Sequence, residues 1–329
     1  MNYFYFVGYL GKRVEEEHLE DIMNEKNVIL ISENLDSNRF KFGIQYRFFE
    51  KAHEWKRICD KEPIFKNYWN HYYTLFNQNF SKEDLHYIIF WDSAISMYYS
   101  ESFFISLKKK HPNVKLVFYI YDQMNRRYSK RIERMTKYAD AVLCTIPEDC
   151  KTYGFTYFPL VYPDRNVGGC IKLPKSDIYF MGNNSDRDKR LHEIYKYLSE
   201  KSIQCDFNIV GVPENRQAYI GKIQYNRGFS TKENTEHTLA TNCILEIMHE
   251  GMDAVTARYP EALTLKKKLL TNNKNIVNEH FYNPKYIRVY EKVEDIDADW
   301  VKARETVDYG YDGEYSAKAL MNKVLEVLS

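Results

Sequence analysis

Two runs of this chain, from Tyr87 to Trp91 (YIIFW) and from Lys115 to Tyr121 (KLVFYIY), are apolar almost without interruption, and each ends in an aspartate, Asp92 or Asp122. A strand with one wet face alternates apolar and polar side chains. A run that is apolar at nearly every position is buried on both faces, as happens when helices cover both sides of a parallel sheet. Parallel pairing needs long crossover connections, and helical segments lie between the runs.

The same alternation extends along the chain. Strands are predicted at Tyr3 to Val7, Asn27 to Ser32 and Ala141 to Thr145. Helices are predicted at Val14 to Asn24, Ser96 to Lys110 and Arg126 to Tyr138, the second stopping at His111-Pro112. The aromatic-rich stretch from Gln45 to Gln78 is expected to be mostly helical. Between Tyr157 and Lys175 the pattern breaks: Pro159, Pro163, Pro174 and the pair Gly168-Gly169 read as a linker. It then restarts with strands at Asp177 to Met181, Asp206 to Val210, Ile223 to Tyr225 and Ile244 to Met248, and helices at Asp188 to Lys201, Thr231 to Thr241 and Tyr315 to Leu328. The sequence therefore predicts an α/β chain of two Rossmann-like domains, 1–165 and 166–329, with the last helix a candidate to pack back on the first domain.

Composition narrows the function. Lys and Arg number 47 against 46 Asp and Glu, so no global field favours nucleic acid. The 29 tyrosines supply rings with a polar tip, suited to cores and sugar-binding surfaces alike. Six well-separated cysteines without a CxxC pair read as reduced thiols rather than a zinc site. Met1 to Arg13 reads as a first strand and not as a leader, because Lys12 and Arg13 follow the apolar residues instead of preceding them. No apolar run approaches the roughly 20 residues that span a bilayer. A cytoplasmic protein is expected.

The stretch from Cys243 to Asn275 concentrates the chemistry. An apolar strand empties into a polar loop holding Gly251 and Thr256, and Arg258 and Glu261 flank the start of the following helix. A second apolar run ends in Thr271-Asn272-Asn273. A strand, polar loop and helix start present backbone N–H groups to a phosphate. With an arginine for charge and a glutamate for hydroxyls, the expected ligand is a nucleotide or nucleotide-sugar. The same residues have plainer readings: a glutamate in a first helical turn is favoured by the macrodipole, and an arginine before a helix can simply be on the surface.

The runs IYFMGNNSDRDKRLHEIYKYLSEKSIQCDFNIVG and TARYPEALTLKKKLLTNNKNI, followed by FYNPKYIRVYE, resemble the C-terminal domain of GT-B glycosyltransferases. The second is similar to bacterial enzymes of surface-polysaccharide biosynthesis, capsule or lipopolysaccharide, which share an arginine, Glu-Ala-Leu, a lysine-rich turn, a strand and a Thr-Asn pair. The resemblance implies two domains facing a cleft and transfer of a sugar from a nucleotide-sugar to a glycan or lipid-linked glycan. It casts Glu261 as acceptor for the ribose hydroxyls, and Arg258 with Thr256 as contacts to the diphosphate. Gly182 and Asn183 would let the ligand approach the backbone, Arg187 and Arg190 would complete a phosphate clamp, and Gly211 would lie where the base stacks. Neither metal nor cofactor is implied, since arginines, lysines and helix dipoles stabilise the leaving diphosphate. The Asp-x-Asp runs at Asp186-Asp188 and Asp295-Asp297-Asp299 accordingly read as turns or caps.

An inverting transfer calls for a base, and Asp92, Asp122 and His18 are the alternatives, the aspartates because ligands bind at the carboxyl ends of parallel strands. A retaining transfer does not require one. The basic runs Lys108-Lys110, Arg126-Arg127, Lys130-Arg131 and Lys266-Lys268 read as solvated helix faces. Those of the first domain, with the aromatics from Phe48 to Phe76, are the candidates for peripheral contact with an anionic membrane. A second reading of the whole chain is a catalytically silent protein that binds a nucleotide-sugar or supports another transferase.

Overall fold

The computed structural model describes residues 1–8, 17–31, 43–44, 47–48, 51, 70, 73–97, 99–124, 129–164, 172–184, 187–248 and 254–329. The chain forms two units, one of Met1–Pro163 with Tyr315–Ser329, the other of Asp164–Glu314.

The first unit holds β1 (Asn2–Val7), β2 (Val28–Ile31), β3 (Leu85–Trp91), β4 (Val114–Ile120), β5 (Ala141–Cys144) and β6 (Thr156–Tyr157), with helices α1 (Asp92–Met97), α2 (Glu101–Lys110), α3 (Ser129–Thr136) and α4 (Pro147–Tyr153). Its sheet runs in the order β2-β1-β3-β4-β5-β6, and every pairing is parallel. Successive side chains of β1, β3 and β4 serve two different cores. Tyr5, Ile88, Phe90, Leu116 and Phe118 pack with Phe103 and Phe104 of α2. Phe4, Phe6, Tyr87, Ile89 and Val117 pack on the other side. This two-sided burial is why the runs are apolar at nearly every position.

The second unit contributes β7 (Ser176–Asn183), β8 (Cys205–Val210), β9 (Gln224–Tyr225), β10 (Thr241–Glu246), β11 (Lys268–Thr271) and β12 (Ile287–Val289), with α5 (Asp188–Glu200), α6 (Thr231–Ala240), α7 (Arg258–Thr264) and α8 (Ala298–Lys302). The order is β12-β11-β10-β7-β8-β9, again wholly parallel. Numbered within the unit, this is 3-2-1-4-5-6, the order of a dinucleotide-binding Rossmann sheet. The last helix, α9 (Ala317–Leu328), belongs to the first unit, where Ala317, Leu320 and Val324 are fully buried against the β1, β3 and β4 side chains of the second core.

The two-domain α/β class is therefore as expected, while several boundaries differ. The helix predicted from Ser96 to Lys110 is two helices. The Ser100 hydroxyl accepts the Phe103 N–H at 3.2 Å and starts α2 afresh. Of the predicted first helix, Val14 to Glu16 lie outside the described residues, and residues 18–24 form turns. Helix α4, not expected from periodicity, carries proline at its start and Gly154 at φ 72° past its end. The aromatic stretch and Arg126-Arg127 lie largely outside the described residues, as do Gly251 and Asp186. Two of the basic runs turn in part inward, while Lys130 and Lys266 stay exposed. Arg131 is buried and donates to the Tyr99 carbonyl, and Lys268 is fully buried within β11, donating to carbonyls at the end of α8. Cys144, Cys150, Cys205 and Cys243 are free thiols. Among the described residues no helix is long and apolar enough to cross a membrane.

Candidate functional sites

In an open parallel sheet, ligands bind beyond the carboxyl ends of the strands at the point where strand order reverses, because the neighbouring crossovers leave on opposite faces and open a crevice. In the second unit that point lies between β7 and β10. Two arginines meet there. Arg187 donates to the carbonyls of Asn183 at 2.5 Å and Asn184 at 3.3 Å on the β7 side, and to that of Ile247 just beyond β10. Arg258, at the start of α7, donates to the Met181 carbonyl at 2.6 Å. The Arg187 pKa is pushed down by burial and then by the charge of Arg258, so the guanidiniums are close enough to repel.

Gly182 makes the close approach possible. A Cβ built there would lie 3.2 Å from the Phe180 ring and 3.5 Å from Arg187 Nη2. Gly182 and Asn183 are the last residues of β7 itself, two positions beyond the predicted end of that strand.

Two buried carboxylates stand behind the arginines. Glu261 is 1% exposed. One of its oxygens accepts from Asn234 Nδ2 at 2.8 Å and Thr238 Oγ1 at 3.0 Å, both from α6, and the other is ion-paired with Arg258. With both oxygens engaged inside the protein, this carboxylate holds Arg258 in place. Glu246, the last residue of β10, was not anticipated. Its two oxygens accept from Thr256 Oγ1 and Thr271 Oγ1. Burial raises its pKa, opposed by those two hydroxyls and by Arg258 and Arg187. The signal was present: a lone glutamate interrupts the apolar run CILEIM, and an acid inside such a run needs partners. Thr256 thus touches Glu246 and also accepts the Arg258 N–H at 3.2 Å. The Thr-Asn-Asn run ties the loop down, since Asn272 Oδ1 accepts the Met248 N–H at 2.7 Å.

The remaining predicted residues of this unit lie around that centre. Arg190 donates to the Glu291 carbonyl (2.7 Å) and lies over the Tyr290 ring, which also feels the charge of Arg187. Gly211 follows β8 at φ 80°, its N–H held by Asn226 Oδ1 at 2.8 Å. Three aspartates of the Asp-x-Asp runs are engaged within the protein. Asp188 is buried and forms an ion pair with Arg216, Asp295 accepts the Lys292 N–H, and Asp297 accepts the Trp300 N–H at 2.9 Å and pairs with Arg288. Among the described residues no cluster of His, Cys, Asp and Glu has the makings of a metal site.

In the first unit strand order reverses between β1 and β3, and Asp92 is the residue immediately after β3. It is 5% exposed and accepts the N–H groups of Asp122 at 3.0 Å and Tyr121 at 3.3 Å. Burial pushes its pKa up to about 7, the backbone N–H groups of Asp122, Ser93 and Tyr121 pulling against it and the Asp122 charge adding to it. Asp122 thus joins Asp92 at the end of β4. His18 Nδ1 lies 3.0 Å from the Val161 carbonyl, and the Val161 N–H donates to Tyr119 Oη, whose proton is in turn raised in pKa by burial and by Asp92. All three candidate bases therefore stand on the carboxyl side of one sheet, with Asp92 alone buried.

No protein-family model matches the chain, and no curated protein matches it. Solved structures resembling it include an alpha-glucosyltransferase in complex with UDP and a 13-mer DNA (10% identity, covering 100% of this chain and 94% of that one, TM-score 0.49). Others are the spinosyn rhamnosyltransferase SpnG (9%, 91% and 89%, 0.44) and the E. coli heptosyltransferase WaaC with ADP-2-deoxy-2-fluoro heptose (9%, 91% and 98%, 0.40). All three are glycosyltransferases. The likeness is distant, and the case for function rests on this chain's own residues.

Proposed function

We propose that this chain is a glycosyltransferase using a nucleotide-sugar donor, held by the second unit, and a glycan or lipid-linked glycan acceptor. The observation that carries the reading is the meeting of Arg187 and Arg258 across the β7/β10 switch point, backed by two buried glutamates. Two guanidiniums held by backbone carbonyls are pre-organised donors for a diphosphate, and they stabilise the charge that develops as the sugar leaves. Glu261 acts through Arg258 as a positioning residue. Asp92 serves as base in an inverting transfer: it takes the proton of the acceptor hydroxyl as that oxygen bonds to the anomeric carbon and the diphosphate departs. A pKa of about 7 suits a group that must accept a proton at neutral pH. No metal is required in this scheme. The surface-polysaccharide role, and work at the inner face of an anionic membrane, follow from the resemblance.

Calorimetric titration with UDP, GDP, CDP and CMP, alone and as their sugars, tests the donor assignment. At least one nucleotide is expected to bind, and Arg258→Lys, which keeps the charge but loses the fork, is expected to weaken it about tenfold. Binding of none of them would sink the proposal. Donor binding without transfer to any acceptor in a membrane or glycan extract would favour the silent binding protein.

A further inference from the structure

The second unit has another basic site, at the opposite end of its central strands. A cavity of about 270 Å³ opens beside the first residues of β10, with Lys175, Lys267 and Arg304 in its wall and Leu173 and Leu239 on its apolar side. β10 is six residues long, so this cavity stands roughly 20 Å from the arginine pair.

Lys267 is the built part of the site. Its Nζ donates to the Leu239 carbonyl at 2.8 Å and the Thr241 carbonyl at 2.7 Å, at the end of α6. These bonds fix the ammonium at the cavity wall and use two of its three N–H groups. They also suit a cation at a helix C-terminus. What they do not supply is a counter-charge. Burial, with the charge of Arg304 added, pushes the Lys267 pKa down to about 8, and no carboxylate opposes that shift. Arg304 itself has one acidic neighbour, Asp177, at 3.8 Å. Among the described residues, three cations thus line the cavity against one nearby carboxylate, and two of them repel each other. An oxyanion between Lys267 and Arg304 would relieve that repulsion and complete the hydrogen bonding of both.

We infer that this cavity binds a small molecule bearing one oxyanion, a phosphate monoester or a carboxylate, on a compact and partly apolar body, the oxyanion bridging Lys267 and Arg304 and the body lying against Leu173 and Leu239. At about 270 Å³ the cavity lies just below the roughly 300–1,000 Å³ of drug-sized ligand pockets, which suits a compact ligand. Because the site is a strand's length from the arginine pair, it stands or falls independently of the donor assignment.

Peptide-resolved amine labelling of the full chain tests it. Lys267 is expected to label at neutral pH in chloride and to be protected about threefold or more by inorganic phosphate at equal ionic strength, following simple mass action. An acetate arm separates the two sources: protection by phosphate alone assigns a phosphate monoester, protection by both a general oxyanion. R304Q, at an exposed position outside the core, is expected to lose most of the protection and part of any phosphate-dependent rise in melting temperature. Equal labelling of Lys267 in all three salts, or protection undiminished in R304Q, overturns the inference.

Discussion

The two switch points share a geometry and differ in charge. Beside the first switch point the carboxyl ends of β3 and β4 gather acids: Asp92 is buried, the charge acting on it is the like-signed Asp122, and its pKa is pushed up to about 7. Between β7 and β10 the second sheet gathers arginines, and its buried acids, Glu246 and Glu261, lie beside them. Parallel strands dictate where a crevice opens, and the residues that end the strands dictate what it can hold. One end holds a proton on a buried acid, and the other holds two guanidiniums side by side. The proposed function assigns the base to the first and the donor diphosphate to the second.

The sharpest test of the second site is its buried support. Glu261→Ala removes the acceptor for Arg258, Asn234 and Thr238 at once and is expected to lower the unfolding free energy by about 3–5 kcal/mol in urea titrations. If Glu261 instead contacts the ligand from a loosely held position, stability will hardly change while nucleotide affinity falls.

The first site is broken by charge rather than by packing. The Asp92 carboxyl titrates near its ordinary 3.8 when unfolded and near 7 when folded, so between those values the folded state binds the extra proton. Its effect on stability is absent below pH 4. It grows as a penalty as pH rises and is complete above pH 7, amounting to about 4 kcal/mol at the usual 1.36 kcal/mol per unit. Asp92→Asn is neutral throughout, so its stability relative to wild type should climb between pH 4 and 7.5, read by denaturant titration at several pH values. The same variant should slow transfer by about 10²–10⁴ with nucleotide affinity unchanged. A stability difference that is flat with pH would contradict the buried proton.

A smaller effect probes how tightly the arginine site is packed. Gly182→Ala places a methyl 3.2 Å from the Phe180 ring and should cost about 1–3 kcal/mol, with weaker nucleotide binding as Arg187 is displaced. Smallest of all, Asp297→Ala removes a helix cap worth about 1 kcal/mol and should leave transfer untouched. Loss of activity there, rescued by Mg²⁺ or Mn²⁺, would mean that the Asp-x-Asp run is more than a cap.

Much of this was legible in the chain. Continuous apolar runs such as Tyr87 to Trp91 required two-sided burial, hence parallel sheets and helices on both faces. Arg258 and Glu261 were visible because charged residues crowd one helix start. Other features hid in the linear order. Arg187 and Arg258 are 71 positions apart by residue number and meet only because β7 and β10 are neighbours in the sheet. Glu246 looked like one more acid until Thr256 and Thr271 closed on it. Lys267 and Lys268 looked like surface charge, yet both turn in to carbonyls that the sequence alone does not bring near.

By itself, then, the sequence determined the class of fold and which apolar runs would be its central strands, though not where each would end, because periodicity and hydrophobic burial are local properties read along the chain. The tertiary structure decided which strand ends are neighbours, and with that which charges are buried, paired or left to face a ligand. Hydrogen bonds and Coulomb interactions act over a few ångströms of space, whatever the separation along the chain.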